Sequence, residues 1–117
     1  MRIEVKGRNV EVTDDLRDRI RKKFGKVSRQ VSELAVLEIE LQEERNPSIR
    51  ESQVAEATLE LKGVTLRARE RSDDLAHAVN LVEKDLSRQV KRHRDKRRKR
   101  REARAAKADA EPRPAAP

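Results

Sequence analysis

Four stretches of the chain alternate between apolar and polar residues, which is the period of a β-strand with one buried face. They cover residues 1–6, 37–42, 55–61 and 64–69. Only Lys62 and Gly63 separate the last two, and glycine supplies the positive φ that a tight hairpin turn needs. The pattern therefore predicts four strands, the first ended by Gly7 and the last two joined as a hairpin.

Two further stretches repeat their apolar residues every three or four positions, which is the period of an amphipathic helix. The apolar face of the first helix consists of Leu16, Ile20, Phe24 and Val27. Thr13 is a good N-cap for this helix. The second helix is predicted from its N-cap Ser72 to Arg104, with an apolar stripe that consists of Leu75, Val79, Val82, Leu86 and Val90. Each helix therefore has a single face to bury.

The order of these elements, β-α-β-β-β-α, limits the topology. A helix between the first two strands makes them parallel neighbours through a right-handed crossover, and short turns make the last three strands an antiparallel meander. We therefore predict the α+β class, with both helices packed on one face of a four-stranded sheet, a two-layer sandwich like that of double-stranded-RNA-binding domains. On the uncovered face we expect the glutamates Glu38, Glu40, Glu56 and Glu60, partly offset by Arg67 and Arg69.

Charge is distributed unevenly along the chain. The whole sequence has 30 Lys and Arg against 22 Asp and Glu, and residues 91–104 take ten and two of these, which leaves 20 against 20 elsewhere. The formal net charge of +8 therefore lies in this segment. We predict a folded domain over residues 1–95 and a basic, then Ala/Pro-rich, disordered tail over 96–117.

A dense basic segment is typical of proteins that contact the phosphates of nucleic acid. An anionic membrane, an acidic protein or a purely solubilising role are the other interpretations. Phe24 is the only aromatic residue, so base stacking on aromatic rings is not available, and contacts to phosphate, ribose and RNA shape are favoured. The basic face of the first helix is either an ordinary solvated face or a second rim for RNA.

Other kinds of chemistry have little support in the sequence. There is no cysteine for a disulfide, a nucleophile or a zinc site. The four glutamates could hold Mg²⁺ as in a nuclease, but glutamate beside arginine on an exposed strand is normally solvated or paired across strands. His77 and His93 are 16 residues apart on one helix and cannot share a ligand. We therefore predict no enzymatic activity, no catalytic residues, no metal, no cofactor and no small-molecule substrate.

No apolar run has the length of a signal peptide or a membrane span, so we expect a cytoplasmic protein that does not bind membranes. A general double-stranded-RNA or nucleoid-binding protein fits these features. A double-stranded-RNA-binding domain begins with a helix, however, whereas Ile3 and Val5 predict a strand first. A metal-dependent nuclease is a third hypothesis, and it requires RNA cleavage that depends on Glu56.

Nearly all of residues 3–96 resembles the ribosome hibernation promoting factor family, which includes the ribosome-associated translation inhibitors. The resemblance is carried by three stretches: IEVKGRNVEVTDDLRDRIRKKFGKV, VAEATLELKGVTLRARERSDDLAHAVN and VEKDLSRQVKRHRDK. Its most specific part is the run Gly-x-x-Leu-x-Ala-x-Glu from Gly63 to Glu70, followed by Ser-Asp-Asp-Leu and a basic helix. The chain departs from the family at Ala76, where Tyr is usual, and at Asn80, where Asp is common.

The resemblance implies the same fold and a partner, the small ribosomal subunit and its rRNA. The protein would bind between head and body, over the mRNA channel and the A and P tRNA sites, and block translation. By position, the RNA-binding residues would be Lys22, Lys23, Lys26, Arg88, Lys91, Arg92, Arg94, Lys96 and Arg97. The chain has no room for the C-terminal dimerisation domain of the family's long members, so the resemblance is to the short form or to a long form cut inside its linker. The free protein is expected to be a monomer.

Overall fold

The computed structural model of the chain describes residues 1–46, 48 and 50–110. Its elements are β1 (Arg2–Arg8), α1 (Asp14–Lys23), α2 (Gly25–Gln30), β2 (Val36–Glu43), β3 (Gln53–Leu61), β4 (Val64–Ser72) and α3 (Leu75–Ala110). The strands form one sheet in the order β1-β2-β3-β4. β1 is parallel to β2, and the other neighbours are antiparallel. This confirms the predicted α+β class, strand order and strand directions.

Local residue choices explain how β1 leads into α1. Gly7 lies within β1 and does not end it, in contrast to the prediction. Glycine is needed at this position because the chain folds back so closely that a Cβ would collide with the Val10 carbonyl oxygen. Asn9 makes the reversal with a φ of 59°, a conformation that asparagine tolerates better than most residues. Thr13 caps α1 as predicted, its Oγ1 accepting a hydrogen bond from the Leu16 amide at 3.2 Å.

The first predicted helix is divided at Phe24, which has a φ of −90° and a ψ of 9°. Its amide still donates to the Ile20 carbonyl at 3.0 Å, and its own carbonyl accepts from the Ser28 amide at 2.9 Å. The apolar face therefore continues from α1 into α2. Ile20, Phe24 and Val27 are all buried, as the helical spacing predicted.

A single core lies between the helices and one face of the sheet. On the sheet side, β2 contributes Leu37, Ile39 and Leu41, and all three are fully buried. The helix side is made by the face of α1 and α2 and by Val82, Leu86 and Val90 of α3. The alanines of the central and edge strands, Ala55, Ala57 and Ala68, are buried where α3 packs on β3 and β4. The helix pair α1 and α2 and the helix α3 therefore cover the same face of the sheet, as predicted.

The N-terminus of α3 differs from the prediction. Ser72, the predicted N-cap, is the last residue of β4 and is buried. Its hydroxyl lies 2.9 Å from His77 Nδ1 and accepts from the Asp74 amide at 3.3 Å. Asp74 caps the helix instead, its Oδ1 accepting from the Ala76 amide at 3.2 Å. Both residues are good caps, and the pairing of Ser72 with Gln53 extends the strand to Ser72.

α3 has 36 residues and is therefore about 54 Å long, so its second half projects beyond the sheet. The helix includes Arg104, its predicted end, and continues to Ala110, so residues 96–110 are helical although we also predicted a disordered tail from residue 96. Ala, Arg and Lys are strong helix formers, and they extend a helix whose first half is already held by the core. The remainder of the predicted tail, residues 111–117, lies outside the described residues. Within the described ranges, no helix is long and apolar enough to cross a membrane.

Candidate nucleic-acid interface

One basic stripe runs along the solvent side of α3. Arg88, Lys91, Arg92 and Lys96, four of the predicted RNA-binding residues, line a shallow groove together with Asp95 and Lys99. The four are exposed, since the helix presents them away from the side on which Leu86 and Val90 are buried. Lys99 was not among the predicted residues, although its helical spacing from Lys96 is the signal that finds it.

Arg94 and Arg97 lie on a different side of α3. Together with His93 they line a groove of about 530 Å³ between the helix, the α2–β2 loop and the β3–β4 turn. Leu34, the only large apolar residue of the described chain that is strongly exposed, lines the same groove. The structure therefore separates the predicted residues of α3 into two sets, one on each side of the helix.

The remaining predicted residues, Lys22, Lys23 and Lys26, are exposed at the junction of α1 and α2. Lys23 lines a cleft between α1 and α3, as does Arg19, which was not predicted. Lys22 and Lys26 do not line this cleft. Arg19 and Lys23 therefore add positive charge next to the packed half of α3.

The basic surface is hardly compensated by acidic residues. None of the nine predicted residues forms an ion pair in the part of the chain that the structure describes. Among the described side chains of the projecting helix, only Arg98 is paired, with Asp95 at 3.8 Å and Glu102 at 4.0 Å. Positive charge held on an exposed helix without partners attracts phosphate strongly, and it does so over a distance set by salt.

The opposite face of the sheet differs from our expectation of an acidic surface. The edge strands bring basic residues to both sides of the central glutamates: Arg2, Lys6 and Arg8 from β1, and Arg67, Arg69 and Arg71 from β4. Glu40 pairs with Arg8 at 3.6 Å, and Glu56 pairs with Arg69 at 3.8 Å. This face is therefore close to neutral, because the register places oppositely charged residues on neighbouring strands.

The shortest ion pair of the described chain joins Arg71 to Glu44 at 2.7 Å on this face. The hydrogen bond from the guanidinium, together with its charge, lowers the pKa of Glu44 below its ordinary value. Val54 lies next to Arg71 in the register and is only 2% exposed, although it points away from the core. Arg71 is therefore the cross-strand neighbour of a buried valine at the start of β3.

The geometry gives no support to a metal-dependent reaction. Among residues 1–46, 48 and 50–110, no group of three or more His, Cys, Asp or Glu side chains could hold a metal ion. His77 is engaged with Ser72 at 2.9 Å, and His93 is half-buried in the groove beside Arg94. The functional feature that the described surface does present is the positive charge of the exposed lysines and arginines on α1, α2 and α3.

The fold and its charge define a small two-layer α+β domain with one strongly basic helix. The chain belongs to the family described as Sigma 54 modulation protein / S30EA ribosomal protein, whose model matches residues 3–98. The match ends inside the basic segment, so most of the projecting half of α3 lies beyond it.

Individual relatives agree with this assignment. The chain is 35% identical over 96 residues to the ribosome hibernation promotion factor of Staphylococcus aureus (strain COL), a match that covers 80% of this chain and 48% of that protein. The chain therefore spans about half the length of this curated relative.

Two solved structures have the same fold. The crystal structure of the N-terminal domain of Thermus thermophilus Protein Y matches with a TM-score of 0.68 and 30% identity, over 80% of this chain and 99% of that one. A ribosomal subunit interface protein from Coxiella burnetii matches with a TM-score of 0.68 and 22% identity, over 81% and 99%. The second likeness concerns the fold alone.

Proposed function

We propose that the protein is a ribosome hibernation factor that binds rRNA of the small ribosomal subunit and blocks translation. The observation that carries this proposal is the exposed basic stripe of α3 in a chain of this family, whose residues Arg88, Lys91, Arg92 and Lys96 form no ion pair with any described residue. The family's description as a ribosomal protein and the name of one relative, a ribosome hibernation promotion factor, support a ribosomal partner. The proposed site is the mRNA channel with the A and P tRNA positions, and the proposed compartment is the cytoplasm.

Inhibition by this protein requires occupancy and no chemical step. The body presents Lys22, Lys23 and Lys26 at one end, and α3 carries its charge outward for several helical turns. An RNA-walled groove binds such a surface mainly through phosphates, so affinity depends strongly on salt. A protein that fills the groove excludes mRNA and tRNA for as long as it stays bound.

The test is binding to purified small subunits, followed by sedimentation across a range of salt concentrations. The test variant replaces Arg88, Lys91, Arg92 and Lys96 with Gln. The matched control removes the same charge from the outer sheet face by replacing Arg2, Lys6, Arg67 and Arg69 with Gln. If all four residues of the stripe contact phosphate, the slope of log affinity against log salt flattens by about 3 in the test variant.

We expect the control variant to bind and to inhibit an in vitro translation reaction as the parent does. Equal losses in the two variants would show that net charge alone drives binding and would contradict the proposed surface. A parent protein that binds duplex RNA or DNA as tightly as small subunits would instead support the general nucleic-acid-binding hypothesis.

A further inference from the structure

A cleft of about 370 Å³ lies between α1 and the first turns of α3. On one side it is lined by one face of α1, Leu16, Arg19, Ile20 and Lys23, at helical spacings of three, one and three. On the other side it is lined by Asp74, Leu75, Ala76, Val79 and Asn80. The cleft is therefore built from two helices that the core holds in place, and its size is at the lower end of the about 300–1,000 Å³ typical of ligand pockets.

The floor of the cleft is apolar. Ile20 and Val79 are 1% and 6% exposed, and Leu16 and Leu75 are half-buried at its sides. The small side chain of Ala76 is exposed and leaves the cleft open at this position. Burial of a flat apolar group against such a floor is favourable, whereas burial of a charged phosphate there is not.

The rim of the cleft is polar, and most of it is not engaged within the protein. Arg19 and Lys23 are exposed, one helical turn apart, and neither forms an ion pair with any described residue. Asn80 is half-buried, and its amide makes no hydrogen bond in the described part of the chain. Asp74, in contrast, is already used as the cap of α3. The rim thus offers two cations and one amide with both a donor and an acceptor.

An unstacked nucleotide matches this combination. Its base has apolar faces and a polar edge, its phosphates are anionic, and an asparagine amide can pair in two places with the N6 and N7 atoms of adenine. We propose that the cleft binds one unstacked adenine base of single-stranded RNA, with the adjacent phosphates on Arg19 and Lys23 and the base edge on Asn80. This inference rests on the proposed function only in taking RNA as the ligand.

The experiment measures binding of two nine-nucleotide RNAs at low salt. Both are oligouridines, one with a central adenosine and one with a central abasic nucleotide, so that the number of phosphates is equal. The parent protein is expected to bind the adenosine RNA about fivefold or more tightly than the abasic RNA. Ala76→Phe fills the cleft and brings the ratio to one, while binding of the abasic RNA is unchanged.

Two further variants make the result specific. Ala105→Phe adds the same ring to an exposed alanine outside the cleft, and it retains the parent's ratio. Asn80→Ala removes the preference for adenosine over 7-deazaadenosine, which lacks the N7 acceptor. Retention of the parent's ratio by Ala76→Phe, or equal binding of the two RNAs by the parent, would overturn the proposal.

The proposed function is tested separately by sedimentation with small subunits. If the parent protein discriminates between the two RNAs but does not sediment with subunits, the result supports base binding in the cleft and contradicts the proposed ribosomal partner. If the parent protein sediments with subunits but binds the two RNAs equally, the result supports the ribosomal partner and contradicts base binding in the cleft.

Discussion

Phe24 is the largest of the fully buried side chains, and it lies where α1 ends and α2 begins. Phe24→Ala would leave a cavity in the core between the sheet and the helices. We therefore expect the free energy of unfolding to fall by about 3–5 kcal/mol in urea titrations. Leu34→Ala is the control, because Leu34 is 87% exposed and its loss should change stability by less than about 0.5 kcal/mol. Similar losses in the two variants would contradict the described core.

The ion pair of Glu44 and Arg71 predicts a dependence of stability on pH. The pKa of Glu44 is lowered in the folded state, so its contribution is present above the ordinary pKa of glutamate and is lost as pH falls through the folded-state pKa. We expect Glu44→Gln to melt below the parent near neutral pH, and the difference to disappear as the pH falls below the lowered pKa of Glu44. Glu40→Gln, which removes the longer pair with Arg8, should show a smaller difference at neutral pH.

Residue-level features differ in how far the sequence predicts them. Thr13 is followed by two aspartates that suit the first turn of a helix, so its role as the cap of α1 followed from the sequence. Ser72 and Asp74 compete for the same role at α3, and the choice depends on how far β4 pairs with β3. Gly7 could be recognised as special, but its reason, the approach of Val10, exists only in the folded chain.

At the scale of elements, α3 combines a packed half with a projecting half. Truncation after Asp95 removes nine basic residues, and if six of them contact phosphate the salt slope for small-subunit binding should flatten by about 4 to 5. The melting temperature should change little, because residues 96–108 are all exposed and exposed ion pairs are each worth at most about 1 kcal/mol. Thermal unfolding and salt-dependent binding are measured on the same preparation.

Truncation after Ala105 is the matched control, since it shortens the same helix but removes only Lys107 and Arg113 of the basic residues. It should bind small subunits within a factor of about ten of the parent. A large drop in melting temperature after the Asp95 truncation would show that the projecting half is packed, and an unchanged salt slope would show that it does not bind phosphate.

The elements themselves were predictable because their signals are local. Alternation and helical spacing need no knowledge of neighbours, and short turns then determine the meander. The grouping of site residues was less predictable. The division between the stripe of Arg88 and the groove of Arg94 depends on the rotation of α3 relative to the body, and the near-neutral outer face depends on which strands lie at the edges.

At the scale of the whole molecule, the structure is elongated, with extents of 79 × 29 × 18 Å and a radius of gyration of 19.8 Å. A compact chain of this length would have a radius of gyration of about 13 Å. Small-angle X-ray scattering of the free protein should therefore give a value near 20 Å, and the Asp95 truncation should bring it towards about 13 Å. A compact parent would show that α3 folds back on the body.

The continuity of α3 links the two parts of the molecule through one ladder of backbone hydrogen bonds from Leu75 to Ala110. The free projecting half carries mostly like charges, which repel one another and promote fraying of the last turns. Anions bound there neutralise this repulsion and reduce the fraying of the last turns. The backbone hydrogen bonds of the preceding turns of α3 then open less often. Amide hydrogens between Val90 and Arg101 should then exchange with deuterium more slowly when RNA is bound, while those of β2 keep their rates.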